Sequence, residues 1–128
     1  MSKNIFIVDD SKIVRQLVRG YLEHRLKDVI CSEAVDGVDA VERARELHPD
    51  LIVLDFCMPR MNGLEAAAIL HTMFPDVPLI LYTLHTEIIS KERTKAVGIS
   101  AVVSKMDELD VLLKKVVNFV GTARAVTA

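Results

Sequence analysis

The sequence predicts an α/β domain built around an open parallel sheet, and three observations lead to this fold class. Short apolar runs recur along the chain, each bounded by polar or turn residues, as is typical of buried parallel strands. Longer segments between them carry apolar residues at helical spacing. The two kinds of segment alternate along the chain, which favours right-handed βαβ units. With 128 residues, 51% of them hydrophobic and 27% charged, the chain suits one domain with a packed core.

The predicted strands are the apolar runs themselves. The third is the most apolar, Leu-Ile-Val-Leu directly before Asp55, and such a run fits a strand that is covered on both faces. The second strand leads into Asp36 and Gly37, a pair that is most simply a turn. We place the strands at residues 4–8, 29–34, 51–55, 78–83 and 100–104.

The predicted helices carry end signals as well as apolar stripes. Asp10 or Ser11 can cap the first helix, and Asp107 can cap the last. Pro49 discourages helix at the residue before it and so closes the second helix, while Gly98 is a C-cap for the fourth. We place the helices at residues 11–26, 38–47, 62–74, 87–97 and 107–120.

The composition argues against several classes of function. The net charge is −2 and there is no basic block, so nothing points to direct nucleic acid binding. No apolar run approaches the roughly 18–20 residues that cross a bilayer, and the N-terminal residues lead straight into the first strand without room for a signal peptide. We therefore expect a cytoplasmic protein that does not bind membranes. Cys31 and Cys57 have no metal-type or redox-type spacing, and we expect buried or half-buried thiols.

Polar residues stand at the ends of four predicted strands. Asp9 and Asp10 follow the first strand, Asp55 ends the third, Thr83 ends the fourth and Lys105 follows the fifth. Because ligands of open parallel sheets bind at the carboxyl ends of the strands, these side chains should meet in one crevice. Three neighbouring carboxylates repel one another unless a cation intervenes, and all-oxygen ligands suit Mg²⁺, which is often shared with a substrate phosphate. The sequence thus predicts a Mg²⁺ site.

Asp55 is the candidate nucleophile of this crevice. A carboxylate can take a phosphoryl group to give an acyl phosphate, and the transfer needs mainly positioning and charge neutralisation. Lys105 would supply positive charge, and Thr83 could donate a hydrogen bond to a phosphoryl oxygen. Each residue alone has a simpler explanation, as a cap, a strand residue or a solvated lysine. Their occurrence together, at four strand ends, is what favours phosphoryl chemistry.

The ordered motifs resemble the receiver domain of two-component response regulators over about residues 4–120. Each motif is weak alone, whereas the ordered set is specific. The set comprises Val8-Asp9-Asp10-Ser11, Ala34-Val35-Asp36-Gly37, Asp55-Phe56-Cys57-Met58-Pro59 followed by Met61-Asn62-Gly63, Thr83, and Gly98 leading to Lys105.

This resemblance implies a flavodoxin-like three-layer sandwich with strand order 2-1-3-4-5 and five helices. It implies that Asp55 is the phosphoacceptor and that Mg²⁺ is held by Asp9, Asp10, Asp55 and the backbone carbonyl of Cys57. Thr83 would be the switch hydroxyl and Lys105 the phosphate-contacting lysine.

The resemblance also implies partners and domain limits. A sensor histidine kinase or a histidine phosphotransfer protein would donate to the phosphoacceptor, and a downstream effector protein would read the face formed by the fourth helix, fifth strand and fifth helix. A homodimer is left open. The receiver domain would span residues 1–121, and residues 122–128 would be a disordered C-terminal tail.

Three positions depart from the family pattern. Val102 stands where the family usually has Tyr or Phe, which puts aromatic switching in doubt. Leu84 follows Thr83 at a position that is usually small in the family, and it could narrow access to the phosphoacceptor. Met106 follows Lys105 where many receivers have Pro, and we expect a trans bond there because a non-proline cis bond costs about 3–4 kcal/mol.

Two other functions stay open beside the signalling switch, which would assist only its own phosphorylation and dephosphorylation. One is a receiver-like interaction module that needs no phosphate, which Val102 and Leu84 favour slightly. The other is a Mg²⁺-dependent phosphatase of the haloacid dehalogenase type. Such phosphatases resemble one another in carrying a second Asp two residues after the nucleophile, where this chain has Cys57, and no cap domain is evident.

Overall fold

The structure of the protein is a computed structural model that describes residues 2–121, so the predicted C-terminal tail at 122–128 lies outside the described residues. Five parallel strands form one sheet in the order β2-β1-β3-β4-β5, which confirms the implied topology. The strands are β1 (Lys3–Val8), β2 (Val29–Ala34), β3 (Leu51–Leu54), β4 (Leu79–Thr83) and β5 (Ala101–Ser104).

Five α-helices connect and cover the strands, and their caps partly match the predictions. Ser11 caps the first, since its Oγ accepts from the amide of Val14 at 3.3 Å. Asp107 does not cap the last, which begins after Glu108 without a side-chain cap. The helices are α1 (Lys12–Arg25), α2 (Gly37–Leu47), α3 (Gly63–Met73), α4 (Lys91–Ala96) and α5 (Leu109–Val120).

The predicted fourth helix at residues 87–97 is wrong at its start. The chain forms a separate 3-10 turn, Thr86–Ile88, and α4 begins only at Lys91. Ser90 explains the break, because its Oγ accepts from the amide of Arg93 at 3.1 Å and so caps the helix from just outside it. Serine side chains compete with the helical backbone in this way, and apolar spacing does not register that competition.

Asp36, predicted as part of a turn, is instead the N-cap of α2. Its Oδ1 accepts from the amide of Asp39 at 2.8 Å, and Gly37 is already the first helical residue. The chain therefore passes from β2 into α2 without a separate turn, because the carboxylate satisfies an amide that the helix leaves free.

Two apolar layers lie on opposite faces of the sheet and complete the three-layer sandwich. Alternate residues of β1 divide between them, with Ile5 and Ile7 facing one layer and Phe6 and Val8 facing the other. The first layer includes residues of α1 and α5, and the second includes residues of α2 and α3. All four residues of β3 are buried, as expected of a central strand with helices on both sides.

No helix among residues 2–121 is long and apolar enough to cross a membrane. Every peptide bond in that part of the chain is trans, so the expectation of a trans bond between Lys105 and Met106 is confirmed.

Candidate functional site

The sheet brings the predicted site residues together at the carboxyl ends of its strands. The amide of Asp55 donates to the carbonyl of Val8 at 3.0 Å, and the amide of Lys105 donates to the carbonyl of Thr83 at 2.9 Å. These bonds continue the strand ladders past the strand ends and fix which residues emerge side by side.

Three carboxylates meet at this edge of the sheet. Asp9, Asp10 and Asp55 each offer an oxygen, and these oxygens all lie within 4.8 Å of one another. Asp9 and Asp55 are buried, whereas Asp10 is exposed. Carboxylate oxygens are the ligands that a hard divalent cation prefers, so this group fits the predicted Mg²⁺ site.

Lys105 lies between two of the carboxylates. Its Nζ is 2.6 Å from Oδ2 of Asp9 and 3.2 Å from Oδ2 of Asp55. The other oxygen of Asp9 accepts from the amide of Ser11 at 2.8 Å. The ammonium therefore offsets part of the repulsion that the carboxylates would otherwise experience.

Burial and pairing act against each other on this ion pair. Burial raises the pKa of Asp9 more than the hydrogen bonds from Lys105 and Ser11 lower it. Burial acts to lower the pKa of Lys105, but Asp9 and Asp55 together outweigh it and hold that pKa above its ordinary value. A raised pKa favours the neutral form of Asp9 but the charged form of Lys105. Because two carboxylates surround a single ammonium, the charged lysine is favoured.

A buried arginine supports the backbone of Asp9, and sequence reasoning missed it. Nη1 of Arg15 donates to the carbonyl of Asp9 at 2.7 Å, and its Nε donates to Oε1 of Glu33 at 2.9 Å. Glu33 also accepts from Nη1 of Arg19 at 2.9 Å. A signal was available, because Arg15 stands three residues before Val18 on the buried face of α1, and a buried guanidinium needs partners.

The loop after Asp55 ends at Gly63, which packs closely against the backbone of Asp55. A Cβ on Gly63 would lie 2.2 Å from the backbone oxygen of Asp55, so only glycine fits at that position. Asn62 and Glu65 form a reciprocal cap at the start of α3, with bonds of 2.9 and 3.0 Å.

Cys57 lies in this loop and is exposed, so the expectation of a buried or half-buried thiol is wrong there, although it holds for Cys31.

Thr83 is fully buried at the end of β4. Its Oγ1 accepts from the amide of His85 at 3.2 Å, which leaves the hydroxyl proton for another acceptor. The neighbouring Leu84 is 52% exposed, and Val102 on β5 is 39% exposed. These two of the three departures from the family pattern therefore lie at the surface rather than in the core.

Comparisons with known proteins show the family of this chain. The response regulator receiver domain family matches residues 5–117. A protein-glutamate methylesterase/protein-glutamine glutaminase of Pyrococcus abyssi is 33% identical over 77% of this chain and 26% of its own length. The chain thus spans about a quarter of the length of that curated relative.

Solved structures of response regulators share the fold of this chain. Chemotaxis protein CheY4 of Vibrio cholerae has a TM-score of 0.85 at 27% identity and covers 93% of this chain and 99% of its own. The response regulator protein TrrA of Thermotoga maritima, solved in complex with Mg(2+)-BeF, has a TM-score of 0.82 at 27% identity, covering 91% and 98% of the two chains. With its sheet order, acidic cluster and match over most of its length, the chain belongs to the response regulator receiver domain family.

Proposed function

We propose that Asp55 of this receiver accepts a phosphoryl group from a phosphohistidine in a Mg²⁺-dependent transfer. The observation that supports this most is the meeting of three carboxylates, within 4.8 Å of one another, with Lys105 placed 3.2 Å from Asp55. In the transfer, a carboxylate oxygen of Asp55 bonds to phosphorus, the bond from phosphorus to the histidine nitrogen breaks, and an acyl phosphate forms.

The donors for Mg²⁺ would be Asp9, Asp10, Asp55 and the backbone carbonyl of Cys57. All are oxygens, which is the ligand type that Mg²⁺ prefers. When bound, the ion would neutralise negative charge on the phosphoryl oxygens and on the carboxylates. The Mg(2+)-BeF complex of TrrA gives a precedent in a relative of the same fold.

Lys105 and Thr83 would hold the phosphoryl group once it is in place. The ammonium of Lys105 already contacts Asp55 and would turn to a phosphoryl oxygen. The hydroxyl of Thr83 would donate to another oxygen, because its proton is not used by the amide of His85. Movement of Thr83 would then reshape the surface of α4, β5 and α5, which a downstream effector protein would read.

The phosphodonor would be a sensor histidine kinase or a histidine phosphotransfer protein. It would approach across an apolar rim, where Ile13, Leu17 and Met106 are 70%, 57% and 81% exposed. Leu17 and Lys105 line one cavity of about 230 Å³, which connects the apolar surface of α1 with the lysine of the site. We also infer a cytoplasmic signalling domain over residues 1–121 that is not an enzyme acting on other substrates.

A phosphate-independent interaction module remains the second candidate, because Val102 replaces the aromatic residue of the family pattern. Intact-mass spectrometry after incubation with a small acyl-phosphate donor discriminates the two. We expect a Mg²⁺-dependent gain of one phosphoryl group that Asp55→Asn abolishes. No gain would favour the module, unless Leu84→Ala restores labelling and so identifies blocked access.

A further inference from the structure

The loop between β3 and α3 contains a strained turn. Arg60 has a φ of +67°, in the left-handed region that residues other than glycine rarely adopt. The amide of Met61 donates to the carbonyl of Pro59 at 2.7 Å, which makes Arg60 the central residue of a γ-turn with positive φ. Strain of this kind persists only where surrounding contacts hold it.

The side chain of Arg60 makes such a contact with Asp36. Nε lies 2.8 Å from Oδ2 and Nη2 lies 3.0 Å from Oδ1, the two-pronged geometry that arginine forms with carboxylates. Asp36 is buried and is fixed independently as the cap of α2. The amide of Asp39 and, more weakly, Arg60 hold the pKa of Asp36 below its ordinary value against the effect of burial. The carboxylate is therefore a rigid anchor for the loop.

Backbone packing connects the same two segments. A Cβ on Gly37 would lie 2.8 Å from Cβ of Met61 and 2.9 Å from its carbonyl oxygen, so the loop rests directly on the first turn of α2. The close approach of Gly63 to the backbone of Asp55 brings the two ends of the loop together. Cys57, whose carbonyl we assign to Mg²⁺, lies in the loop between Asp55 and Met61.

We propose that Arg60 is a positioning residue for the divalent cation: its ion pair with Asp36 holds the Cys57 carbonyl where it can bind Mg²⁺. This inference rests on the proposed function, which makes that carbonyl a ligand. Groups that orient metal ligands typically change metal affinity by about 10- to 100-fold when they are removed.

Charge and geometry make opposite predictions for Arg60. Its positive charge opposes a nearby cation, so loss of the charge alone would tighten Mg²⁺ binding. Loss of positioning weakens Mg²⁺ binding instead. The sign of the change therefore identifies which role the side chain has.

The test is the Mg²⁺ dissociation constant, measured by isothermal titration calorimetry for the wild type, Arg60→Gln and Arg43→Gln. Arg43 is the matched control, because its Nε pairs with Oδ1 of Asp39 at 2.9 Å and joins two residues of α2 to each other. We expect Arg60→Gln to bind Mg²⁺ about tenfold more weakly. Arg43→Gln should leave the constant unchanged or slightly lower it.

Two further variants separate positioning from a general loss of structure. Arg60→Lys keeps the charge but loses the planar fork, so it should also weaken Mg²⁺ binding, by less than Arg60→Gln. Asp36→Asn keeps the oxygen that caps α2, and its effect should not add to that of Arg60→Gln, since both break one contact. Thermal unfolding without Mg²⁺ serves as the stability control.

Each outcome is decisive. An unchanged or lower dissociation constant in Arg60→Gln overturns the inference and leaves the proposed function intact. A lower melting temperature with an unchanged dissociation constant does the same, because it shows a merely structural role. Where Arg60→Gln does not fold, Arg60→Lys decides by the same criterion. A wild-type chain that binds no Mg²⁺ overturns the proposed function itself and this inference with it.

Discussion

The guanidinium of Arg15 donates to the backbone carbonyl of Asp9 across a buried contact of 2.7 Å. Arg15 thereby links α1 to the turn that presents the acidic cluster. Its second bond, to Glu33, links the same turn to the edge strand β2. The guanidinium of Arg15 thus supports the acidic cluster, although it takes no part in the proposed chemistry.

Arg15→Gln should destabilise the fold by about 2–3 kcal/mol, because it removes hydrogen bonds made by a buried charged group. Urea unfolding of the two proteins measures the difference. Arg19→Gln is the control, since Arg19 pairs with the same Glu33 but its side chain is 41% exposed. We expect less than about 1 kcal/mol there. Equal losses in the two variants would contradict a special role for Arg15.

Lowering the pH should reduce the free energy of unfolding, because Glu33 becomes protonated. Burial acts to raise the pKa of this carboxyl, but Arg19 and Arg15 outweigh it and hold the pKa below its ordinary value of 4.5. The folded state therefore binds the proton less readily than the unfolded chain does. The stabilisation is fully present above pH 4.5 and is lost as the pH falls through the lower folded-state pKa.

Urea unfolding at a series of pH values checks this, with Glu33→Gln as the comparison. The free energy of unfolding of the wild type should fall more steeply below pH 4.5 than that of the variant. Parallel curves would mean that Glu33 titrates alike in the folded and unfolded chains.

Lys105→Met should separate cation binding from phosphoryl transfer. The ammonium contacts two of the proposed Mg²⁺ ligands, so its loss should tighten Mg²⁺ binding by about tenfold. The same loss removes a group that would contact the phosphoryl oxygens, and the rate of phosphorylation should fall by about a hundredfold.

Lys114→Met removes an equal charge from an exposed pair with Asp110 and is the matched control. Calorimetry gives the affinity, and timed intact-mass spectra give the rate. If Mg²⁺ bound more weakly to Lys105→Met, the competition between ammonium and metal ion would be disproved.

The two cysteines should differ sharply in reactivity. Cys31 is buried, and burial raises the pKa of its thiol to about 12, so almost no thiolate is present at neutral pH. Cys57 is exposed in the loop after Asp55. A maleimide should label one site in the folded wild type, none in Cys57→Ser, and both cysteines after denaturation. Fast labelling of Cys31 in the folded protein would argue against this packing.

The strands were predictable because their signals are local and strong, whereas their order was implied by the resemblance to the receiver family. The run before Asp55 reads as a covered strand on its own, and the β3 residues are buried throughout. The acidic cluster was predictable for a related reason, since parallel strands place their carboxyl ends along one edge. Residues as distant in sequence as Asp9 and Asp55 could therefore be assigned to one site.

The features that escaped prediction depend on particular side-chain contacts. Ser90 shortens α4 through one hydrogen bond to a backbone amide, which apolar spacing cannot reveal. Asp36 reads as a turn residue, yet it caps α2 and pairs with Arg60 from a loop that is distant in sequence. The exposure of Cys57 follows from the path of that same loop, which the residue types alone do not determine.

In the proposed transfer Asp55 carries the phosphoryl group, and reductive trapping identifies the phosphorylated residue. The protein is incubated with Mg²⁺ and a small acyl-phosphate donor, then treated with borohydride, which converts an aspartyl phosphate to homoserine. Tandem mass spectrometry locates the converted residue. We predict homoserine at position 55 alone, and only when Mg²⁺ is present. Homoserine at position 9 or 10, or conversion that does not depend on Mg²⁺, would show that Asp55 is not a Mg²⁺-dependent phosphoacceptor.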